Sequence, residues 1–196
     1  INRVQGGRAI DGGRDAAMIH YISTNGIGNA WVANELGQVG RAGVPFVLHT
    51  MRRDPGFHLA DWAQRIHRET RALYPLKPLA LAAAVAAAPF RFRGRFFAAL
   101  ANALFGERES LRARLAGIAH FAVACLWATT LRNENVSHIH SQWIHSCGTI
   151  GMYGAWLLGK SFSFTGHAAD LYRERCALRD KIRRADFIVC ISSFHR

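Results

Sequence analysis

Apolar positions along this chain switch between a period of two and a period near 3.6, and the switching predicts an α/β architecture. Met18 to Ser23 is a short β-prone run, and Thr24-Asn25-Gly26-Ile27-Gly28 makes a turn after it. Asn29 is placed to cap a helix in which Trp31, Val32, Leu36 and Val39 recur near helical spacing until Gly40 and Gly43. Val44 to Thr50 is a second strand, completing a β–loop–α–β unit of the kind that builds parallel sheets. A long helical region follows from Asp61 to Leu131. Trp62, Ile66 and Leu73 mark its first amphipathic helix; the alanine-rich stretch Leu79 to Ala88 is next, and Pro89 predicts a break. Leu111 to Leu131 closes the region. Its stretch from Leu115 approaches membrane-spanning length, but His120 and the flanking βα units favour a buried core helix. The alternation then resumes with a strand at Val136 to His140, a helix at Cys147 to Leu158 stopped by Gly159, and a strand at Ser161 to Thr165. A basic helix, Ala177 to Ala185, and a buried-looking strand, Phe187 to Ile191, end the pattern. Residues 1–16 hold two Gly-Gly pairs and no periodicity, a flexible lead-in.

Composition narrows the class. With 196 residues, half of them apolar and 19% charged, the chain has a globular make-up and length enough for a core. Its 25 Lys and Arg against 13 Asp and Glu leave a net charge of +12, which suits nucleic acid, an anionic membrane surface or a phosphorylated substrate. No RNP-like or helix-turn-helix pattern organises the basic residues, so nucleic acid is not the expected partner. A basic nucleic-acid- or membrane-binding module without catalysis stays as the alternative to an enzyme. Cys125, Cys147, Cys176 and Cys190 lie far apart with no C-x-x-C pair, which argues against a disulfide framework or zinc ribbon and fits a reducing compartment. The first seventeen residues carry no signal peptide, and both ends, at Ile1 and Arg196, look cut.

Candidate chemistry gathers where predicted strands end, because the carboxyl edge of an open α/β sheet faces the ligand crevice. His167 and Asp170 follow at once after the strand that stops at Gly166. The imidazole is a candidate for function or a structural histidine bonded to nearby backbone. Asp170 could orient that ring or cap a helical turn after it. Gly26 and Gly28 sit between a strand and a helix amino terminus, suited to a phosphate or a sugar and equally to a plain tight turn; the full G-x-G-x-x-G pattern is absent. His138, His140, His145 and Cys147 invite a metal reading, but no carboxylate lies among them and zinc-finger spacing is missing, so no metal is expected. Strand alternation puts His138 and His140 on one face. Trp143 and His145 then line a polar pocket in the following loop. Phe90, Phe92, Phe96 and Phe97 interleave with Arg91, Arg93 and Arg95, which suits a helix lying on an anionic bilayer or a packed surface helix with solvated arginines.

At these residues the chain resembles the amino-terminal domain of family-4 glycosyltransferases, retaining enzymes of the GT-B fold, and most of all their bacterial exopolysaccharide and colanic-acid branch. Phe162 to Tyr172 matches an "FSFTAHAxDIY"-like stretch, Ala185 to Arg196 an "ADFIVxISxxxR"-like strand, and His138 to His145 a His- and aromatic-rich loop. Trp31 to Leu36 fits a "TFVxRE" pattern weakly, and Asn29-Ala30 departs from the usual Glu-Thr, which puts contacts at that turn in doubt. The resemblance covers about Ile19 to Arg196. It implies a Rossmann-like parallel sheet with helices on both faces and a helical insertion around residues 61–131. Residues 17–196 would form the acceptor-side domain, incomplete at its end and inactive alone, without the donor-binding domain. The intact enzyme would move a sugar from a nucleotide-sugar donor to a lipid-linked saccharide acceptor with retention, in polysaccharide biosynthesis. The resemblance makes His167 the catalytic residue near the donor sugar, sets Gly26 and Gly28 against donor phosphates, and has Trp143, His145 and Asp170 shape the sugar sites. No metal or other cofactor is implied. Arg91, Arg93 and Arg95 would hold the protein on the cytoplasmic face of the membrane. A GT-B-shaped sugar-nucleotide epimerase is the second enzymatic alternative.

Overall fold

The computed structural model describes residues 17–53, 61–167 and 176–192. Six strands and seven helices alternate there: β1 (Met18–Ser23), α1 (Ala30–Arg41), β2 (Phe46–Thr50), α2 (Asp61–Glu69), β3 (Arg71–Ala72), α3 (Pro78–Phe92), α4 (Gly94–Phe105), α5 (Leu111–Leu131), β4 (Val136–Ser141), α6 (Ser146–Leu158), β5 (Ser161–Gly166), α7 (Leu178–Arg184) and β6 (Phe187–Cys190). The strands form one parallel sheet, as the alternation predicted, in the order β3-β2-β1-β4-β5-β6, which is the Rossmann-like arrangement that the resemblance implied.

Register divides the side chains between two cores. Tyr21 lies beside Leu48, and both join Val32, Leu36 and Ala63 under α1 and α2. Ile22, Ile139, Phe162 and Phe164 point the other way, into a larger core with α3, α4, α5 and α6. Helices therefore cover both faces. α5 has the length and composition to cross a membrane, yet its distal part, from Phe121 through Trp127 to Leu131, is buried in that larger core. Burial pushes the Cys125 thiol there up to about 12, so it behaves as a small hydrophobe.

Four local expectations need correction. Pro89 does not break its helix; α3 runs through it to Phe92. The missing N–H falls in the last turn, where only the carbonyl four residues back loses a partner. α2 stops at Glu69, and Leu73 lies beyond it, after a two-residue strand that pairs His49 with Arg71 and Thr50 with Ala72. Asn29 occupies the capping position of α1 but its side chain makes no capping bond. Finally, β6 is not buried. It is an edge strand with Phe187 at 53% exposure, and Ile188 and Val189 are also open.

Candidate functional site

Strand order reverses between β1 and β4, so the loops leaving their carboxyl ends run apart and open a crevice. The first loop is the glycine turn. Ser23 Oγ donates to the Gly26 carbonyl at 3.0 Å, and the Gly28 N–H donates to the Asn25 carbonyl at 3.1 Å. Gly26 has a φ of 59°, the left-handed region that explains a glycine at this point. α1 begins four residues later, and its amino end carries partial positive charge into the crevice.

Three elements bring an aromatic cluster to the same place. His167 follows β5 directly, and its ring centre lies 4.4 Å from that of Trp31 and 4.2 Å from that of Trp143. The two indoles are 5.4 Å apart, and Trp143 stacks on His145 at 5.8 Å. His167 keeps 7% of its surface exposed, whereas Trp31 keeps 41%. The structure thus brings Trp143, His145 and His167 together with Trp31, while Gly26 and Gly28 lie in the loop after β1, whose Thr24 hydroxyl approaches Cys147 Sγ at 3.7 Å. Asp170 lies outside the described residues. Arg91, Arg93 and Arg95 stand at the opposite, amino edge of the sheet, near the start of β4.

Trp31 is a residue that periodicity misplaced. Helical spacing assigns it to the core, but in the first turn of α1 it projects beyond the sheet edge and meets the β4 and β5 loops instead. Its only sequence signal was the weak aromatic match at the start of that helix.

The β4–α6 loop is tied down from below. Lys181 of α7 is fully buried and its Nζ donates to the carbonyls of Ile144 and, at 3.2 Å, His145. His145 also accepts the Ser146 N–H at its Nδ1 (2.8 Å), and Thr149 Oγ1 donates to its carbonyl at 3.0 Å. α7 itself is fixed by Asp180, which accepts from Arg108 at 2.8 Å and from Asn102 at 2.9 Å. His120 belongs to this buried basic region: burial, then the charges of Lys181 and His145, lower it to about 4. The sequence predicts α7 as a basic helix, and the inward turn of Lys181 carries no separate sequence signal.

Further polar groups pair along and beside β4. Gln142, fully buried, donates from Nε2 to Glu35 Oε1 at 2.7 Å. Burial raises the Glu35 carboxyl, and the Gln142 bond opposes the rise. The Tyr21 hydroxyl is pushed up to about 12, by burial and then by Glu35. His138 and His140 share a face, as alternation predicted, and their ring nitrogens meet Ser161, Ser163 and Thr165 hydroxyls at 2.6 to 3.1 Å. With both nitrogens of each ring engaged, these histidines serve as rungs between β4 and β5. Among the described residues, no three His, Cys, Asp or Glu side chains converge as a metal site needs.

No protein-family model matches the chain, and no curated protein or solved structure matches it either.

Proposed function

We propose that this domain is the acceptor-side part of a retaining GT-B glycosyltransferase, transferring a sugar from a nucleotide-sugar donor to a lipid-linked saccharide. One observation carries the reading: His167, at the end of β5, packs against both Trp31 and Trp143, which follow β1 and β4, the two strands at the switch point of the parallel sheet. Indole faces suit the apolar faces of sugar rings, and an imidazole beside them offers a polar edge to hydroxyls. The glycine turn and the amino end of α1 favour a diphosphate approaching from above, since backbone N–H groups and the helix dipole both attract anions. Such stabilisation of a departing diphosphate is electrostatic and works through groups already in position. On this reading His167 orients the donor sugar, Trp143 and His145 bound the sugar site, and Gly26 and Gly28 admit the phosphates.

The same proposal places the protein on the cytoplasmic face of a membrane, where a lipid-linked acceptor resides. Phe90, at 83% exposure, and Phe97 and Phe105 stand open beside Arg91, Arg93 and Arg95. Exposed aromatics next to arginines suit the boundary between head groups and acyl chains. The test is chemical. The intact protein carrying this chain, given labelled nucleotide sugars and lipid-linked saccharides, should form a glycoside with the donor's anomeric configuration. Inversion, or no transfer to any saccharide, would remove the reading.

A further inference from the structure

The amino edge of the sheet holds a second site, about 20 Å from the crevice as six strand residues measure it. A cavity of about 670 Å³ opens there, beside Val136 at the start of β4. Arg91, Arg93, Arg95, Arg132 and Lys160 line it, all of them exposed. Glu134 is the one carboxylate among its lining residues, and it is already engaged by Arg71 at 2.7 Å and 2.9 Å. None of the five cations has a carboxylate within ion-pair distance among the described residues.

Basic residues at helix carboxyl ends are ordinary, because the last carbonyls attract them. Three such ends, those of α5, α6 and α3, do open here. Arg95 answers the second: it donates to the Leu158 carbonyl at 3.1 Å. Its guanidinium lies over Gly159, where any side chain would collide with it. But each helix end amounts to about half a charge. Three ends therefore account for about one and a half cations, and five are present.

Backbone geometry adds a separate observation. Arg93 has φ 50° and ψ −129°, a region that favours glycine, while Gly94 follows it immediately. A non-glycine residue held in that region costs stability, and such outliers cluster where a side chain has work to do. Arg93 forms the corner between α3 and α4, its N–H donating to the Pro89 carbonyl at 3.0 Å and its carbonyl accepting from Phe96 at 3.0 Å. The amino end of the twelve-residue α4 thus also lines the cavity.

We propose that this cavity binds a phosphate-bearing anion with two or more negative charges, clasped by Arg91, Arg93, Arg132 and Lys160 while Arg95 is seated on α6. The volume suits a diphosphate or a phosphorylated head group rather than a lone small ion. Guanidinium groups are matched to phosphate oxygens in charge and in geometry. The inference stands apart from sugar transfer and survives its failure. Where the phosphate belongs to a lipid, it gives the membrane reading its ligand.

Calorimetric titration of the chain with inorganic pyrophosphate is the first arm of the test. The second is sedimentation with phosphatidylcholine vesicles, with and without phosphatidic acid, whose phosphomonoester can carry two charges. The double variant Arg132→Ser/Lys160→Ser should lose about tenfold or more in pyrophosphate affinity, while Arg41→Ser, on the other face of the sheet, should change nothing. Arg93→Gly should weaken binding too, yet unfold at higher urea because it relieves the backbone. Vesicle binding that needs phosphatidic acid and is displaced by pyrophosphate identifies a lipid phosphate. Pyrophosphate binding without vesicle binding identifies a free phosphate compound. Equal pyrophosphate affinity in wild type, the double variant and Arg93→Gly, or no binding at millimolar pyrophosphate, would overturn the proposal.

Discussion

Acidification from pH 8 to pH 5 should destabilise this fold steeply, because its sheet buries histidines that are neutral when folded. The reasoning starts at Trp127, whose indole N–H can only donate. It donates to His49 Nδ1 at 3.2 Å, so that nitrogen must keep its lone pair. Neutral His49 therefore carries its proton on Nε2, which donates to His20 Nδ1 at 3.0 Å. Protonating His49 would set an N–H against the Trp127 N–H. Burial accordingly holds His49 well below its usual range, with the charges of His20 and Arg71 adding to it. Burial lowers His20 from 6.5 to about 4, Glu134 opposing and Arg71 assisting. Burial and then His138 lower His140 from 6.5 to about 3.

The sign follows from proton counting. Between the folded and unfolded values the unfolded chain binds more protons, so stability rises with pH and is lost as pH falls below about 6.5. At pH 5, His20 and His140 each remove about 2 kcal/mol relative to pH 8, a large part of the 5–15 kcal/mol typical of a domain. His49 and His120 push in the same direction. Urea unfolding followed by tryptophan fluorescence at half-unit pH steps gives the slope. We expect about two protons or more taken up per molecule on unfolding at pH 5 to 6, falling by about one in His140→Gln. A free energy of unfolding that stays level, or rises, from pH 8 to pH 5 would refute the tautomer argument and the burial behind it.

Two substitutions probe the packing that holds the site. Arg108→Met should cost about 3–5 kcal/mol in urea unfolding, because the fully buried guanidinium leaves Asp180, Asn102 and Tyr153 without their shared donor; a loss below 1 kcal/mol would mean that α7 is not anchored there. Gly159→Ala should cost about 1–2 kcal/mol, since the position has a φ of 66° and seats Arg95. A melting temperature equal to wild type would contradict that seating.

The chain's own pattern announces most of the framework. β1, β4 and β5 are legible because each is a short β-prone run that ends at a glycine or polar cluster, and their burial is that of strands covered on both faces. β3 was invisible because two residues carry no period, and only pairing with β2 makes them a strand. β6 misled for the opposite reason. Its composition is that of a buried strand, but composition does not tell which strand ends a sheet. At the site, His167, Trp143, His145 and the glycine turn could be singled out because strand ends carry polar groups for few structural reasons. Trp31 could not, since helical spacing treats a first-turn residue like any other. The Gln142–Glu35 bond joins residues 107 apart, and no local pattern encodes such a meeting.

Everything proposed for sugar transfer turns on the imidazole packed against the two indoles. His167→Phe keeps an aromatic ring in that slot and deletes both nitrogens, so it separates packing from chemistry. The decisive measurement is the turnover of this variant in the transfer assay, with folding checked by its urea midpoint. A fall of about a hundredfold or more at an unchanged midpoint is the predicted result. Turnover close to that of the unaltered protein would contradict the assignment of His167 and, with it, the site.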